Sequence, residues 1–330
     1  MDLRLALHDL AAQHGLDAAA TRRLHELARL DAEPAALARL LPRGMAVLAA
    51  ALGGLGLIFW IAANWDTLGR FGRFALLQGV FLAACAGAAW RPAARQPLLL
   101  LALLSIGGLF AYFGQTYQTG ADPWQLFALW AVLSLPLAAA ARSDVLWAPW
   151  ALVAMSAVSL WVHAHTGHRW RVEPHDLPAH AIGWAAALAL VAALSPAWQR
   201  FTAAGPWALR TALTLAVVMI TATALGGLFH RDVAPHYGLG LLLLALAAAA
   251  LAWPRTFDVY GMSAVALGLN TLLVAGLARL LFNDRVGREP VGPLLLLGLV
   301  AAGLLAGTVS GVLKLVRQQP GLQALPKEAS

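Results

Sequence analysis

Polar residues and tryptophans follow the C-terminal ends of two apolar runs in the N-terminal half of the chain. The candidate cluster consists of Asn64, Trp65, Asp66, Gln115, Tyr117, Gln118, Asp122 and Trp124. Gln115 and Gln118 are three residues apart, so both can face one helix groove, and Asp122 stands where it would cap a helix starting at Pro123. Amides in lipid must find hydrogen-bond partners. The cluster therefore either holds helices together or lines a site for a polar solute.

A second candidate is a histidine-rich stretch that would connect two later apolar runs. Its possible metal ligands are His163, His165, His168, His175 and His180, with Glu173 and Asp176 among them and His230, Asp232 and His236 in the next loop on the same side. Imidazoles and carboxylates bind zinc, copper or nickel.

Several features of this stretch argue against a metal. It contains no HExxH motif, His163 and His165 would point to different sides of a helix, and Pro174 and Pro178 indicate an irregular loop. The pattern favours a solvated histidine-rich loop, with a metal site or a pH-responsive element as the alternatives.

Other chemistry finds little support in the sequence. Cys85 is the only cysteine, which excludes an intrachain disulfide and a cluster of thiolate ligands. We find no nucleophile elbow, Walker loop, dinucleotide fingerprint or carboxylate pair in a suitable context, and no Asp, Glu or Lys at the centre of an apolar run. The deepest amide, Asn270, is expected to bridge helices. We therefore expect no enzyme activity, no catalytic residue, no cofactor and no proton-coupled transport.

The elements that must position these residues are membrane-spanning helices. Of the 330 residues, 60% are hydrophobic and 12% are charged, which a soluble domain could not bury. From Gly44 onward, apolar runs long enough to cross a bilayer recur. They predict an all-α polytopic bundle of about ten spans, at 44–63, 71–90, 97–117, 124–141, 145–164, 180–195, 207–229, 238–253, 257–281 and 292–315.

The domain organisation follows from this pattern. Residues 1–43 are predicted to form two or three short amphipathic helices, 44–316 the transmembrane domain, and 317–330 a C-terminal tail. Gly15 should end the first helix, Asp17 should cap the second, and Glu33-Pro34 should precede a third. The segment could rest on anionic headgroups or act as a docking or sensing module.

The basic residues predict an orientation. The chain has a formal net charge of +7, but its arginines are scattered at the ends of predicted spans, which does not suit a nucleic-acid surface. Their excess on alternate loops places both termini in the cytoplasm. Glycine pairs at Gly53, Gly107 and Gly226 should let helices approach closely.

The order of two motifs resembles a known family. IAANWD follows a glycine-rich apolar span, and GQTYQTGADPWQLFALWAVLSLPL closes the next pair of spans. Over about residues 1–140 this is similar to the "domain of unknown function 2157" family, in which an N-terminal helical segment precedes the spans. The resemblance implies a bacterial inner-membrane protein that often occurs beside another multispan protein, and it implies no catalytic residue.

Two functions from different classes remain open at this point. The first is a non-enzymatic membrane protein that assembles with partners, namely the lipid bilayer and another multispan membrane protein. The alternative is a transporter or channel for a small polar solute that uses the outer-face cluster of amides and aromatic residues.

Overall fold

The computed structural model describes residues 3–27, 35–63, 69–117, 120–167, 171–253, 256–282 and 291–318, which form an all-helical bundle. In chain order the helices are α1 Leu3–Gln13, α2 Ala18–Leu27, α3 Ala35–Ala63, α4 Arg70–Trp90, α5 Arg95–Tyr117, α6 Pro123–Ala141, α7 Asp144–His165, α8 Leu177–Ala193, α9 Gln199–Thr202, α10 Pro206–Leu228, α11 Pro235–Leu251, α12 Val259–Phe282 and α13 Val291–Arg317. Short 3₁₀ turns at Pro92–Ala94, Pro174–Asp176 and Pro196–Trp198 join some of them.

Gly15 and Asp17 lie at helix ends as predicted, whereas Glu33 and Pro34 lie outside the described residues. Gly15 follows α1 with a φ of 57°, in the left-handed region that a side chain disfavours. Asp17 caps α2, because its Oδ1 accepts a hydrogen bond of 2.7 Å from the backbone N–H of Ala20. The third predicted helix, however, is not separate: α3 runs unbroken from Ala35 past the expected domain boundary at residue 44, with Pro42 inside it.

The predicted membrane-spanning pattern is confirmed. Eight of the described helices are long and apolar enough to cross a membrane, and Gly44–Gly56 and Pro235–Leu251 are shorter apolar helices. Together they correspond to the ten predicted spans, and the brief eighth span is the shorter helix α11. The turn between α6 and α7 is tight, since Arg142 ends α6 with a φ of 48° and Ser143 caps α7.

Two apolar cores lie along the bundle. The first packs α5, α6 and α7 around Leu103, Leu146 and Trp150, and the start of α10 joins it. The second packs α8, α10, α11 and α12 around Trp184, Ile220 and Leu272. Because α7 and α10 contact both groups of helices, they form the centre of the molecule.

Buried tryptophans also bond the helices to one another. Trp130 donates its indole N–H to Leu103 O on α5, Trp150 donates to Ala131 O on α6, and Trp147 donates to Thr202 O on α9, over 2.9, 2.8 and 2.7 Å. A buried indole N–H without an acceptor would be costly. Trp147 lies near the start of α7 and is nevertheless buried in the core.

Glycines allow the closest helix contacts. A Cβ at Gly240 on α11 would lie 2.6 Å from Ala224 Cβ on α10, and one at Gly107 on α5 would strike the ring of Trp130. The contact at Gly107 supports the prediction that the glycine pairs serve packing, and Gly240 is a further glycine contact outside those pairs. Asn270 behaves as expected too, because its Nδ2 donates to Thr308 Oγ1 over 2.9 Å and so ties α12 to α13.

Candidate functional site

The structure describes only part of the outer-face cluster predicted from the sequence. Asn64, Trp65, Asp66 and Gln118 lie outside the described residues, as does the side chain of Gln115. Tyr117 ends α5 and packs its ring 4.9 Å from that of Phe113. Asp122 does occupy the N-cap position of α6, although its carboxylate makes no capping hydrogen bond. The transport hypothesis for this cluster therefore stays a prediction.

Trp124 links this cluster to the histidine-rich loop. Its ring centre lies 6.3 Å from that of His165, and His165 in turn stacks on Trp161 at 4.2 Å. The C-terminal end of α7 and the start of α6 thus meet at the same end of the bundle. We call this the histidine end; the opposite end, where α7 and α10 begin, is the clamp end.

The histidines are divided between surface and core at this end. His165 and His175 are exposed, whereas His180 is 5% exposed and His236, at the start of α11, is fully buried. The solvated loop predicted from the sequence is therefore wrong for His180, because the chain returns into the bundle at Pro174–Asp176 and α8 carries this side chain inward. His168 lies outside the described residues.

His180 and His236 form a pair of buried imidazoles. Nε2 of His236 lies 3.3 Å from Nδ1 of His180, and the rings meet edge to face with centres 4.9 Å apart. The same Nδ1 lies 3.0 Å from the carbonyl oxygen of Asp176. A carbonyl can only accept, so the hydrogen-bond network assigns the proton of neutral His180 to Nδ1 and leaves its Nε2 as an acceptor.

The tautomer of His180 determines that of His236. Nε2 of His236 faces the Nδ1–H of His180 and so acts as the acceptor. The proton of neutral His236 is therefore on its own Nδ1. That Nδ1 is buried, and the described residues offer it no hydrogen-bond partner. A buried donor without an acceptor lowers the stability of a fold, so a pair of histidines is an unusual choice for two core positions.

A cavity of about 370 Å³ opens beside His180. It is lined by Met155, Ser156, Ser159, Val162, His163, Thr166, Val172, His180, Leu215, Val218, Met219, Ala222 and Thr223. The lining comes from α7, α8, α10 and the loop that follows α7. Thr223, one of the lining residues, accepts a hydrogen bond of 3.1 Å at its Oγ1 from the indole N–H of Trp184. The volume lies within the range of small-ligand pockets.

The loops above the cavity are bonded to each other. Nε2 of His230 lies 3.1 Å from Oε2 of Glu173, and Arg279 donates to the carbonyl oxygens of His230 and Arg231 over 2.7 and 3.0 Å. The loop that follows α7 and the loop that follows α10 therefore converge. Yet no three His, Cys, Asp or Glu side chains of the described ranges are grouped so that they could hold a metal ion.

At the clamp end, both oxygens of the Asp144 carboxylate accept hydrogen bonds. Asp144, at the start of α7, accepts backbone N–H groups at the start of α10: Oδ1 from Gly205 at 2.7 Å and Ala208 at 3.2 Å, and Oδ2 from Trp207 at 2.9 Å. A carboxylate is well placed there, since a helix N-terminus presents unsatisfied donors and a partial positive charge.

An ion pair completes the clamp end. Arg210 Nη2 donates to Asp258 Oδ1 over 2.7 Å, and Asp258 Oδ2 accepts from the N–H of Gly261 over 2.8 Å. Burial raises the pKa of the Asp258 carboxyl, but the hydrogen bonds from Arg210 and Gly261 and the charge of Arg210 outweigh it, so that its pKa lies below the ordinary value.

Sequence reasoning did not single out Asp144, Asp258, Trp184 or Ser159. Asp144 had a detectable signal, because a carboxylate after Ser143 at the head of an apolar run is typical of a helix start. The partner of Trp184 lies 39 residues away and that of Asp258 lies 48 residues away. Ser159 borders the cavity because α7 packs against α10. No local spacing indicates such contacts.

The comparisons with known proteins agree with the fold. Residues 8–147 match the family model described as "Predicted membrane protein (DUF2157)", which confirms the resemblance carried by the IAANWD and GQTYQTGADPWQ motifs. The match covers α2 to α6 and reaches the start of α7. No curated protein and no solved structure shows significant similarity to the chain. The protein is thus a multispan membrane protein whose residues 8–147 are similar to that family.

Proposed function

We propose that this protein is a non-enzymatic membrane protein that assembles with another multispan membrane protein, and that α13 supplies the contact. The observation that carries the proposal is a row of glycines, Gly303, Gly307 and Gly311, at i, i+4 and i+8 along α13. All three are exposed, and a Cβ built on any of them would meet nothing within 4 Å. Such a row lets a second transmembrane helix approach closely.

The packing of α13 supports this proposal. Its principal neighbour is α12, to which the Asn270–Thr308 hydrogen bonds tie it along one seam. Next to this seam lies an open groove between the two helices, lined by the alanines Ala275, Ala278 and Ala301 and by larger residues such as Leu267 and Leu305. The intramolecular contact thus leaves the glycine row free for a helix from another chain.

The setting of the proposal is the bacterial inner membrane with both termini in the cytoplasm. The distribution of arginines and lysines supports this orientation, and it would place the histidine end outside. Single cysteines introduced at Gly120 and Gln318, in a Cys85→Ala background, should be labelled by a membrane-impermeant maleimide from outside and from inside, respectively. The reverse pattern would contradict the orientation.

The assembly is tested with two glycine variants. Gly307→Leu places a bulky side chain in the row, whereas Gly298→Leu places it on the opposite side of the same helix at an equally open position. In a pull-down from native membranes, we expect Gly307→Leu to lower recovery of the partner about tenfold, equivalent to about 1.4 kcal/mol, and Gly298→Leu to leave it unchanged.

Two outcomes would contradict the proposal. Equal recovery with both variants would mean that α13 does not form the contact. Recovery of a second, differently tagged copy of this chain as the sole membrane protein would mean that the assembly is a homo-oligomer rather than a complex with another protein.

A further inference from the structure

The cavity beside His180 has a polar stripe on its α7 side and a mainly apolar α10 side. Ser156, Ser159 and His163 lie at i, i+3 and i+7 along α7, so they share the helix face that borders the cavity. On the α10 side the lining consists of Leu215, Val218, Met219 and Ala222, with Thr223 as its one polar residue. A molecule that matches both sides has polar and apolar parts.

The charge of the lining restricts the ligand further. The described residues that border the cavity include no Asp, Glu, Lys or Arg. An ion that left water for this space would lose its hydration without an opposite charge to replace it. The lining therefore favours an uncharged molecule.

His180 determines which hydrogen-bonding group the polar part of the ligand must carry. Its side chain is almost fully buried, borders the cavity, and has its Nδ1 bonded to the Asp176 carbonyl, which leaves Nε2 as an acceptor. The complement of a buried acceptor is a hydrogen-bond donor. A hydroxyl group supplies one donor and no charge.

The cavity can be reached from the side of the bundle. Val218, on its rim, is 57% exposed, and Ala222 one turn further along α10 is exposed as well. Both residues belong to the membrane-spanning helix Pro206–Leu228, so the surface around them faces lipid. A ligand would enter from the bilayer.

We propose that this cavity binds a small uncharged amphiphile, with its hydroxyl end at His180 and its apolar body between α7 and α10. This site is separate from α13 and goes beyond the assembly function proposed above. Binding here could persist in a variant that no longer recruits a partner, so the two proposals can fail independently.

Photo-crosslinking of the full-length protein in lipid nanodiscs tests the site. The probe is a decanol that carries a diazirine on its chain, and labelled peptides are mapped by mass spectrometry. We expect saturable labelling of the α7 and α10 residues that border the cavity. Unlabelled decanol should compete about five- to tenfold better than its methyl ether, which lacks the donor, and better than decanoate, which is charged.

Matched variants locate the binding. Ala222→Phe fills the mouth of the cavity at an exposed position, and Ala245→Phe makes the same change at an exposed position of α11. The first should lower saturable labelling at least tenfold and the second should leave it unchanged. His180→Phe keeps a ring but removes the acceptor, so the alcohol and the ether should compete equally.

The opposite results would overturn the proposal. Labelling that does not saturate, or that is distributed over lipid-facing residues of all helices, would show that the probe partitions into the bilayer only. Equal competition by alcohol and ether in the unmodified protein would exclude recognition of a hydroxyl. Unchanged labelling in Ala222→Phe would exclude this cavity, whether or not the His180→Phe protein folds.

Discussion

The two ends of the bundle use their polar groups in different ways. At the clamp end, Asp144 faces three backbone N–H donors and Asp258 faces a guanidinium and a further N–H, so charges meet opposite charges or oriented dipoles. At the histidine end, two neutral rings face each other, Nδ1 of His236 has no partner among the described residues, and a cavity lies beside them.

This difference separates stability from binding. Polar groups whose partners are all within the protein hold the fold together, and their loss is costly. Polar groups that are incompletely paired beside a cavity contribute little to stability, and they retain the capacity to bond a ligand. We infer that the clamp end stabilises the bundle and that the histidine end is its binding end.

The largest effect is expected from the clamp. Asp144→Ala removes the acceptor of three backbone N–H groups at the start of α10, so the free energy of unfolding should fall by about 3 kcal/mol. Asp144→Asn keeps one acceptor oxygen and should lose about half as much. Reversible unfolding in lipid bicelles measures both. A loss below about 0.5 kcal/mol for Asp144→Ala would remove the distinction between the two ends.

The ion pair should show a dependence on pH. The pKa of the Asp258 carboxyl lies below the ordinary value of about 4. The contribution of the ion pair to stability is therefore fully present above a pH of about 4 and is lost as the pH falls through the lowered pKa. Asp258→Asn should lower the stability by about 1–2 kcal/mol at pH 7. The gap to the unmodified protein should close in acid, and a gap that is constant with pH would contradict the account.

Two tryptophans offer a matched comparison of the ends. Trp147→Phe at the clamp end leaves the Thr202 carbonyl without its indole donor, whereas Trp184→Phe at the histidine end leaves Thr223 Oγ1 still bonded to Met219 O over 2.7 Å. The first change should cost about 1 kcal/mol more than the second. Thermal unfolding of both variants would measure the difference, and an equal or reversed cost would weaken the comparison.

Much of the fold was predictable from hydropathy and from the residues that start and end helices. Gly15 and Asp17 mark the turn between α1 and α2, and the ten apolar runs correspond to the ten long helices. What hydropathy could not show is that α3 continues through residue 44, because a polar run before an apolar one does not by itself interrupt a helix.

The candidate site was predictable only in part. The sequence indicated that the histidine loops could converge, and Glu173 with His230 confirms it. It could not indicate that His180 lies in the core while His175 stays in solvent, because this depends on the turn at Pro174–Asp176. Nor could it indicate the cavity, which lies between α7, α8 and α10 and depends on how these helices pack.

The most direct test of the account is the stability of His236→Leu beside that of Asp144→Ala in the same bicelles, without added ligand. Leucine replaces a buried ring that lacks a partner for Nδ1, so we predict a change within about 1 kcal/mol of zero, against a loss of about 3 kcal/mol for Asp144→Ala. A loss for His236→Leu as large as that for Asp144→Ala would show that the histidine pair stabilises the bundle and would contradict its assignment to binding.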